Sequence, residues 1–285
     1  MTTDPHPHGR PITGPGAFGD DAQHFWRLVW TLATTSFKLR FFGSALGYLW
    51  QLMRPLLLFA VMYVIFTVIL GVGDGEPLYG VALLLGIVFF QFFTDSVGVA
   101  VRSIIAREAL IRKVDFPRLA VPLACVLQAL FNLGLNLIVV LLFLIANGGH
   151  VMLSWLQFPL IVLMLVCFSS GLAMILSAMY VRFRDVQPIW EVITQALFYG
   201  TPILYTISMV VDKAGLPTAR ILLMNPVASA IQQARHAMID HSYVAVGNVY
   251  GTLAGDLIPI AISVATLVIG LLYFRAAAPH MAERL

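Results

Sequence analysis

Phosphate chemistry on a nucleotide needs a glycine-rich loop ending in Gly-Lys and Ser or Thr, whose backbone N–H groups and ammonium cradle the phosphates. The chain has three lysines, Lys38, Lys113 and Lys213, and they follow Phe37, Arg112 and Asp212. With no Gly-Lys pair, it carries no Walker-type site. Ion-coupled transfer would instead place ionisable groups within apolar stretches. Asp95 and Glu191 are the candidates, and both lie near the ends of such stretches, where snorkelling or a local arginine partner explains them. The histidines are scattered. His6 and His8 are close in sequence but sit in a polar tail, where solvation explains them as well as a metal does. No carboxylate cluster suited to a metal or a general base is visible. No catalytic residue and no metal ligand is assigned, and Cys125 and Cys167, both inside apolar runs, read as packing thiols.

The elements around these residues are set by composition. Hydrophobic residues make up 60% of the 285 and charged residues 11%, with a mean hydropathy of +0.89. Soluble domains carry about 25% charged residues, so this is an integral membrane protein, expected to be all-α. A net charge of +3 gives no reason to expect nucleic acid as a partner. Residues 1–19, rich in Pro, Gly and His, read as a disordered tail. Over 20–40, Phe25, Leu28, Val29, Leu32, Ser36 and Leu39 fall on one helical face, with Arg27, Thr31, Thr34 and Lys38 on another. That pattern suits an amphipathic helix at a membrane surface or packed on a partner.

About 20 apolar residues cross a bilayer. Runs free of charge predict six spans, at about 52–73, 77–98, 119–146, 152–180, 188–206 and 257–275, with a tail over 276–285. The third and fourth are parted by Asn147-Gly148-Gly149-His150, a turn signal. Basic residues favour the cytoplasmic side of short loops. Of the 17 Lys and Arg, all but Lys213, Arg220 and Arg235 fall in 1–54, 95–118, 182–187 or after 274. Both termini are therefore expected in the cytoplasm.

Three stretches stand apart. Segment 207–256 is long for a loop and not very polar; Asn225-Pro226 reads as a helix start, followed by a stripe of Val227, Ile231, Ala234 and Met238. It is read as helices re-entering the membrane or as an outer cap. Within segment 103–118, Leu110, Ile111 and Phe116 are apolar among Arg112, Lys113 and Arg118, with Pro117 ending the local helix. Apolar side chains in a charged loop suggest a partner surface. Finally, Gly43 and Gly47 flank Ser44 at a spacing that lets another backbone approach, with Trp50 suited to the headgroup boundary and Pro55 beyond.

The order Ser44, Leu46-Gly47, Leu49-Trp50, Pro55 resembles the membrane-entrance motif of the permease subunits of type-2 ABC polysaccharide exporters, the group that includes O-antigen, teichoic acid and galactan export. Arg182-Phe183-Arg184-Asp185, Thr201-Pro202-Ile203 with Tyr205, and Asn225-Pro226 are similar to later motifs of that family, in order. The resemblance implies the transmembrane subunit of an ATP-driven exporter in the bacterial inner membrane. It would move a lipid-linked cell-surface polysaccharide outward as a homodimer. Two copies of a separate cytoplasmic ATPase would hold the ATP and Mg, leaving no cofactor on this chain. It places ATPase coupling on Leu110, Ile111, Arg112, Lys113, Phe116, Pro117 and Arg118, with Arg182, Arg184 and Asp185 beside them. Because sugar C–H faces pack on aromatic rings, Tyr63, Phe66, Phe89, Phe93, Phe198 and Tyr199 are candidates to line a conduit between two copies. An ABC exporter of a drug or lipid, and a stand-alone channel or ion-coupled carrier, are the competing readings.

Overall fold

The apolar runs fold into long helices, with no strand among the described residues. The computed structural model describes residues 22–41, 47–108, 117–251 and 254–284. Helix α1 spans Ala22–Phe41. Helix α2, Gly47–Met62, runs on into a π-helical segment, Tyr63–Ile69. Then come α3, Tyr79–Ser103, and α4, Ala120–Ala146. A 3-10 turn, Leu153–Gln157, leads into α5, Phe158–Arg182. Helix α6 is Val186–Gly200, α7 Ile207–Leu223, α8 Pro226–Met238, α9 Val246–Tyr250 and α10 Ala254–Arg284.

Among the described residues, 5 helices are long and apolar enough to cross a membrane: Leu49–Ile69, Tyr79–Ser103, Ala120–Ala146, Leu153–Arg182 and Leu257–Pro279. The run expected as a span over 188–206 behaves differently. Its helix, α6, has 15 residues and so is about 22 Å long at 1.5 Å per residue, against a hydrocarbon core of about 30 Å. It stops at Thr201 because Pro202 offers no N–H and disfavours helical backbone in the residue before it. The segment expected as a tail from 276 continues α10 as far as Arg284, and Arg118 donates to the Ala278 carbonyl.

Helix α3 is the core. It packs on α4, α5, α6 and α8, and Val81 to Phe90 along it are all buried. Phe93 stacks on Phe168 with ring centroids 5.7 Å apart and meets the Trp190 ring edge-on at 5.8 Å. Helices α5 and α10 touch backbone to backbone. A Cβ on Gly171 would collide with the Thr266 carbonyl, and one on Gly270 with the Gly171 carbonyl. Close approach of this kind, which only glycine allows, is how helices associate where lipid removes the hydrophobic drive.

Helix α1 lies on this bundle. Its buried stripe is Phe25, Val29 and Ala33, four residues apart, packed on α4 and part of one apolar cluster with residues of α5 and α10. Trp26 and Trp30 remain mostly exposed, as does Leu39. The expected apolar face is thus largely consumed by the chain's own helices. The Asn147–His150 stretch turns as its residues require: Gly148 has φ +84°, and the Asn147 amide donates to the Phe143 carbonyl at 2.7 Å.

Candidate functional site

Two polar constructions sit at opposite ends of α3. The first surrounds the break after α6. With helix lost over Thr201–Thr206, the carbonyls of this stretch need donors, because unpaired backbone at membrane depth costs several kcal/mol per group, to order of magnitude. Arg235 of α8 supplies them. Its Nη1 donates to Pro202 O at 2.7 Å and to Tyr205 O at 3.5 Å, and its Nη2 to Ile203 O at 2.7 Å. Its Nε reaches Ala82 O on α3 at 3.2 Å. The Tyr79 hydroxyl donates to Leu204 O at 2.6 Å, so each carbonyl from 202 to 205 is served. Guanidinium suits the task, having five donors and no acceptor.

Arg235 is completely buried. Gly86 makes the room, since a Cβ there would lie 3.2 Å from Arg235 Nη2. Arginine stays protonated in proteins, so an interior cation serves these carbonyls. The Tyr243 hydroxyl donates to Pro77 O at 2.9 Å, and burial raises its phenol far above the usual range. Helix α8 is held at its start by Asn225, whose side-chain oxygen accepts from the Val227 N–H at 3.0 Å. That N-cap matches the Asn225-Pro226 signal.

The second construction is a cleft of about 1040 Å³ at the basic end of the bundle, walled by α1, α2, α3, α4 and α6. Arg54, Arg102 and Arg107 line it, with Asp95 and Glu191. Glu191 pairs with Arg102 at 3.3 Å and accepts from the Gln187 amide at 2.8 Å, which is the local arginine partner considered for it. Asp95 accepts from Gln91 at 2.9 Å and lies within the fields of Arg40 and Arg54. Arg107 donates to the Ser36 hydroxyl at 2.9 Å, and its Nη1 is buried with no hydrogen-bond partner among the described residues. Ser103, Gln128, Gln187 and Trp190 complete the wall. Asp95 and Glu191 therefore stand together among arginines at one rim, not as a relay through the bundle.

The residues singled out from sequence scatter. Leu110, Ile111, Arg112, Lys113, Phe116, Gly43 and Ser44 lie outside the described residues. Pro117 is buried and Arg118 half-buried, while Arg182, Arg184 and Asp185 form an exposed turn between α5 and α6. In that turn Arg182 sits over the Phe183 ring at 5.0 Å and Arg184 over Tyr180 at 5.4 Å. Gly47 has φ +40° and nothing within 4 Å of where a Cβ would be, so what its conformation needs from glycine is backbone freedom. Trp50 is exposed and Pro55 is buried within α2.

The ring candidates need a correction. Phe89 and Phe93 are 0% and 1% exposed and pack against Phe158, Phe168 and Trp190, so a cargo cannot touch them in this conformation. They are core residues of α3. Tyr63 and Phe66 are half-buried on the π-helical segment, Phe198 is half-buried and Tyr199 exposed.

Arg235 is the residue that sequence reading missed, taken as one basic residue in an outer loop. Its signal was positional: it stands four after Ile231 and eight after Val227, on the apolar stripe itself.

Residues 27–239 match the model of the ABC-2 type transporter family. The chain belongs to the ABC-2 type transporter family. Among curated relatives, a protein of Klebsiella pneumoniae called O-antigen export system permease protein RfbA is 31% identical over 228 residues, covering 78% of this chain and 86% of the relative. A Myxococcus xanthus protein of the same name is 30% identical over 214 residues, covering 75% and 81%. The matched family region starts within α1 and ends just beyond α8, so the cleft, the α6 break and Arg235 are all parts of the ABC-2 domain.

Proposed function

We propose that this chain is the transmembrane subunit of an ATP-driven exporter that carries a lipid-linked cell-surface polysaccharide across the bacterial inner membrane. The observation that carries it is the likeness to ABC-2 permeases named for O-antigen export, which extends over most of both chains. The energy source lies elsewhere: with no Gly-Lys pair in the chain, ATP and Mg belong to a separate ATPase, present in two copies. The described parts of the 103–118 segment, 103–108 and 117–118, and the Arg182–Asp185 turn lie at the same end of the bundle, where such a partner would dock. Charged residues there would set its orientation and encounter rate, and apolar ones its affinity.

The working unit is a homodimer with both termini in the cytoplasm, in keeping with the basic loops. One reason is that α2 is only 6% buried within the chain; another is that Ile189, Val192 and Tyr199 of α6 point outward. Helix α6 and the broken stretch after it form the fifth of six crossings together, and α7 and α8 re-enter the membrane from the outside. Their support is the Arg235 network, which satisfies the irregular backbone that a crossing of this kind leaves. Of the conduit candidates, Tyr63, Phe66, Phe198 and Tyr199 keep surface that a glycan could reach.

The test is deletion and complementation, with co-purification. The chain should bring down a separate ATPase and restore surface polysaccharide only with an ATPase able to hydrolyse ATP. Ile111→Asp should insert normally yet lose both. Export by the chain without any ATPase would overturn the assignment.

A further inference from the structure

The structure assigns a transition-metal site to the turn after α8, with His236 and His241 as its ligands for a divalent ion of the zinc and copper class. The site lies at the end of α3 opposite the arginine cleft and is independent of what the chain exports.

His236 belongs to the last turn of α8 and His241 to the turn beyond it. The helix ends with the N–H groups of Ile239 and Asp240 both donating back to Arg235 O, at 3.0 and 3.3 Å, and the Tyr243 N–H then donates to Asp240 O at 3.2 Å. This reversal brings His241 back to His236, with ring centroids 4.9 Å apart. Imidazoles that share one tetrahedral ion through bonds of about 2.0–2.1 Å have their centroids about 5 Å apart, so the two rings already stand at that separation.

The hydrogen bonding of His236 prepares it for the role. Its Nδ1 lies 2.7 Å from Tyr243 O. A carbonyl only accepts, so Nδ1 carries the hydrogen and Nε2 keeps the lone pair in the neutral ring. A metal-bound histidine nearly always donates its other N–H in this way, which fixes the tautomer and raises the basicity of the ligating nitrogen. His241 is exposed, so its ring is free to turn a nitrogen toward the ion. Asp240, oriented by the Ser242 N–H at 2.8 Å, lies within the fields of His241 and His150. Among the described residues no three ligating side chains are preassembled. The ion would therefore be held by two imidazoles and complete its shell with water or, after a side chain rotates, with Asp240 or His150. Imidazole nitrogens suit zinc, copper and nickel, whereas magnesium and calcium prefer oxygen alone.

The position gives the site a consequence. Arg235, which serves the broken stretch after α6, directly precedes His236. Tyr243, whose hydroxyl holds Pro77 O at 2.9 Å, lies two residues after His241. An ion bridging the two histidines clamps α8 to the turn that carries Tyr243, and so stiffens the frame around Arg235 from its far side.

The experiment uses the full chain in nanodiscs, free of any purification tag and stripped with a chelator. His6 and His8 are replaced by Ala so that the tail offers no pair of imidazoles. Zinc chloride alone is the probe and magnesium chloride the control. Zinc should bind at one ion per chain and raise the melting temperature, as any ligand of the folded state does; magnesium should do neither. His241→Ala should weaken zinc at least about tenfold, the lower end of what is lost when even a hydrogen-bond partner of a ligand is removed. His236→Asn should weaken it as much while leaving the zinc-free melting temperature in place, because the Asn amide still has an N–H for Tyr243 O. That variant separates a metal ligand from a histidine that only holds the turn. Copper(II) as a second probe should show imidazole nitrogen couplings in its electron paramagnetic resonance spectrum, and these should vanish when both substitutions are combined. Absence of saturable zinc binding, or zinc affinity unchanged in the combined variant, overturns the proposal.

Discussion

Helices α2 and α3 are adjacent in sequence, both rich in apolar residues, and opposite in what surrounds them. The α2 span has a hydropathy of 2.2 and is 6% buried within the chain; the α3 span has 1.8 and is 72% buried. The more apolar helix is the one left outside. In a bilayer this is reasonable, because lipid is as good a solvent for Leu and Val as a protein core is, and helices meet through packing and polar contacts. Helix α3 gained the centre through what breaks its hydrophobic surface: Gly86 for Arg235, Ala82 as a carbonyl acceptor, and rings that interlock with α5 and α6. On α2 and the π-helical segment that continues it, by contrast, Leu57, Val61, Val64 and Val68 form an exposed branched stripe.

The comparison breaks most severely at Arg235. Arg235→Met keeps the volume but strips donors from Pro202, Ile203 and Tyr205. Each carbonyl left unpaired in the interior costs roughly 1–3 kcal/mol, so the variant should be recovered poorly and melt far below the parent in detergent. An unchanged melting temperature would mean that water serves these carbonyls and that α3 does not depend on α8.

The next effect belongs to the α3 rings. Phe93→Ala empties the space between Phe168 and Trp190 and should cost about 3–5 kcal/mol. Glycan export should fall only as far as protein level falls, since the ring is out of a cargo's reach. Export lost at normal protein level would show instead that Phe93 becomes exposed during transport.

The smallest effect should come from the π-helical continuation of α2. Val68→Ala removes methyl groups from a side chain that is 68% exposed, and away from a core such changes stay within about 0.5 kcal/mol. Thermal melting of the isolated chain should not move. A clear loss in membranes alone would sharpen the contrast, because it would mean that this part of the stripe is covered by the second copy and not by lipid.

Several features were legible without a fold. The charge-free runs located the long helices, Asn225-Pro226 marked the start of α8, and Asn147-Gly148-Gly149 marked the turn between α4 and α5. The cleft was visible only as fragments. Asp95 and Glu191 were noticed as acids beside arginines, but Arg54, Arg102 and Arg107 were counted as topology signals. Nothing in their spacing says that Glu191, 89 positions from Arg102, closes on it. The ring candidates failed in part for the same reason: Phe89 and Tyr199 look alike in sequence, and one is core while the other is surface.

By itself, the sequence determined that this chain lives in a bilayer, that it cannot bind nucleotide through a Walker loop, and which motifs it shares with polysaccharide permeases. These depend on composition and on residues near one another in the chain, where propensity, capping and transfer energies act locally. Tertiary structure alone decided which apolar helix is central, that Arg235 is an interior cation serving a broken helix, and that three arginines and two carboxylates share one cleft. Those outcomes depend on which distant surfaces meet. In a chain whose helices are almost uniformly apolar, hydrophobicity ranks no partner above another; a missing Cβ at Gly86 or Gly171 and a Pro202 carbonyl outside any helix do.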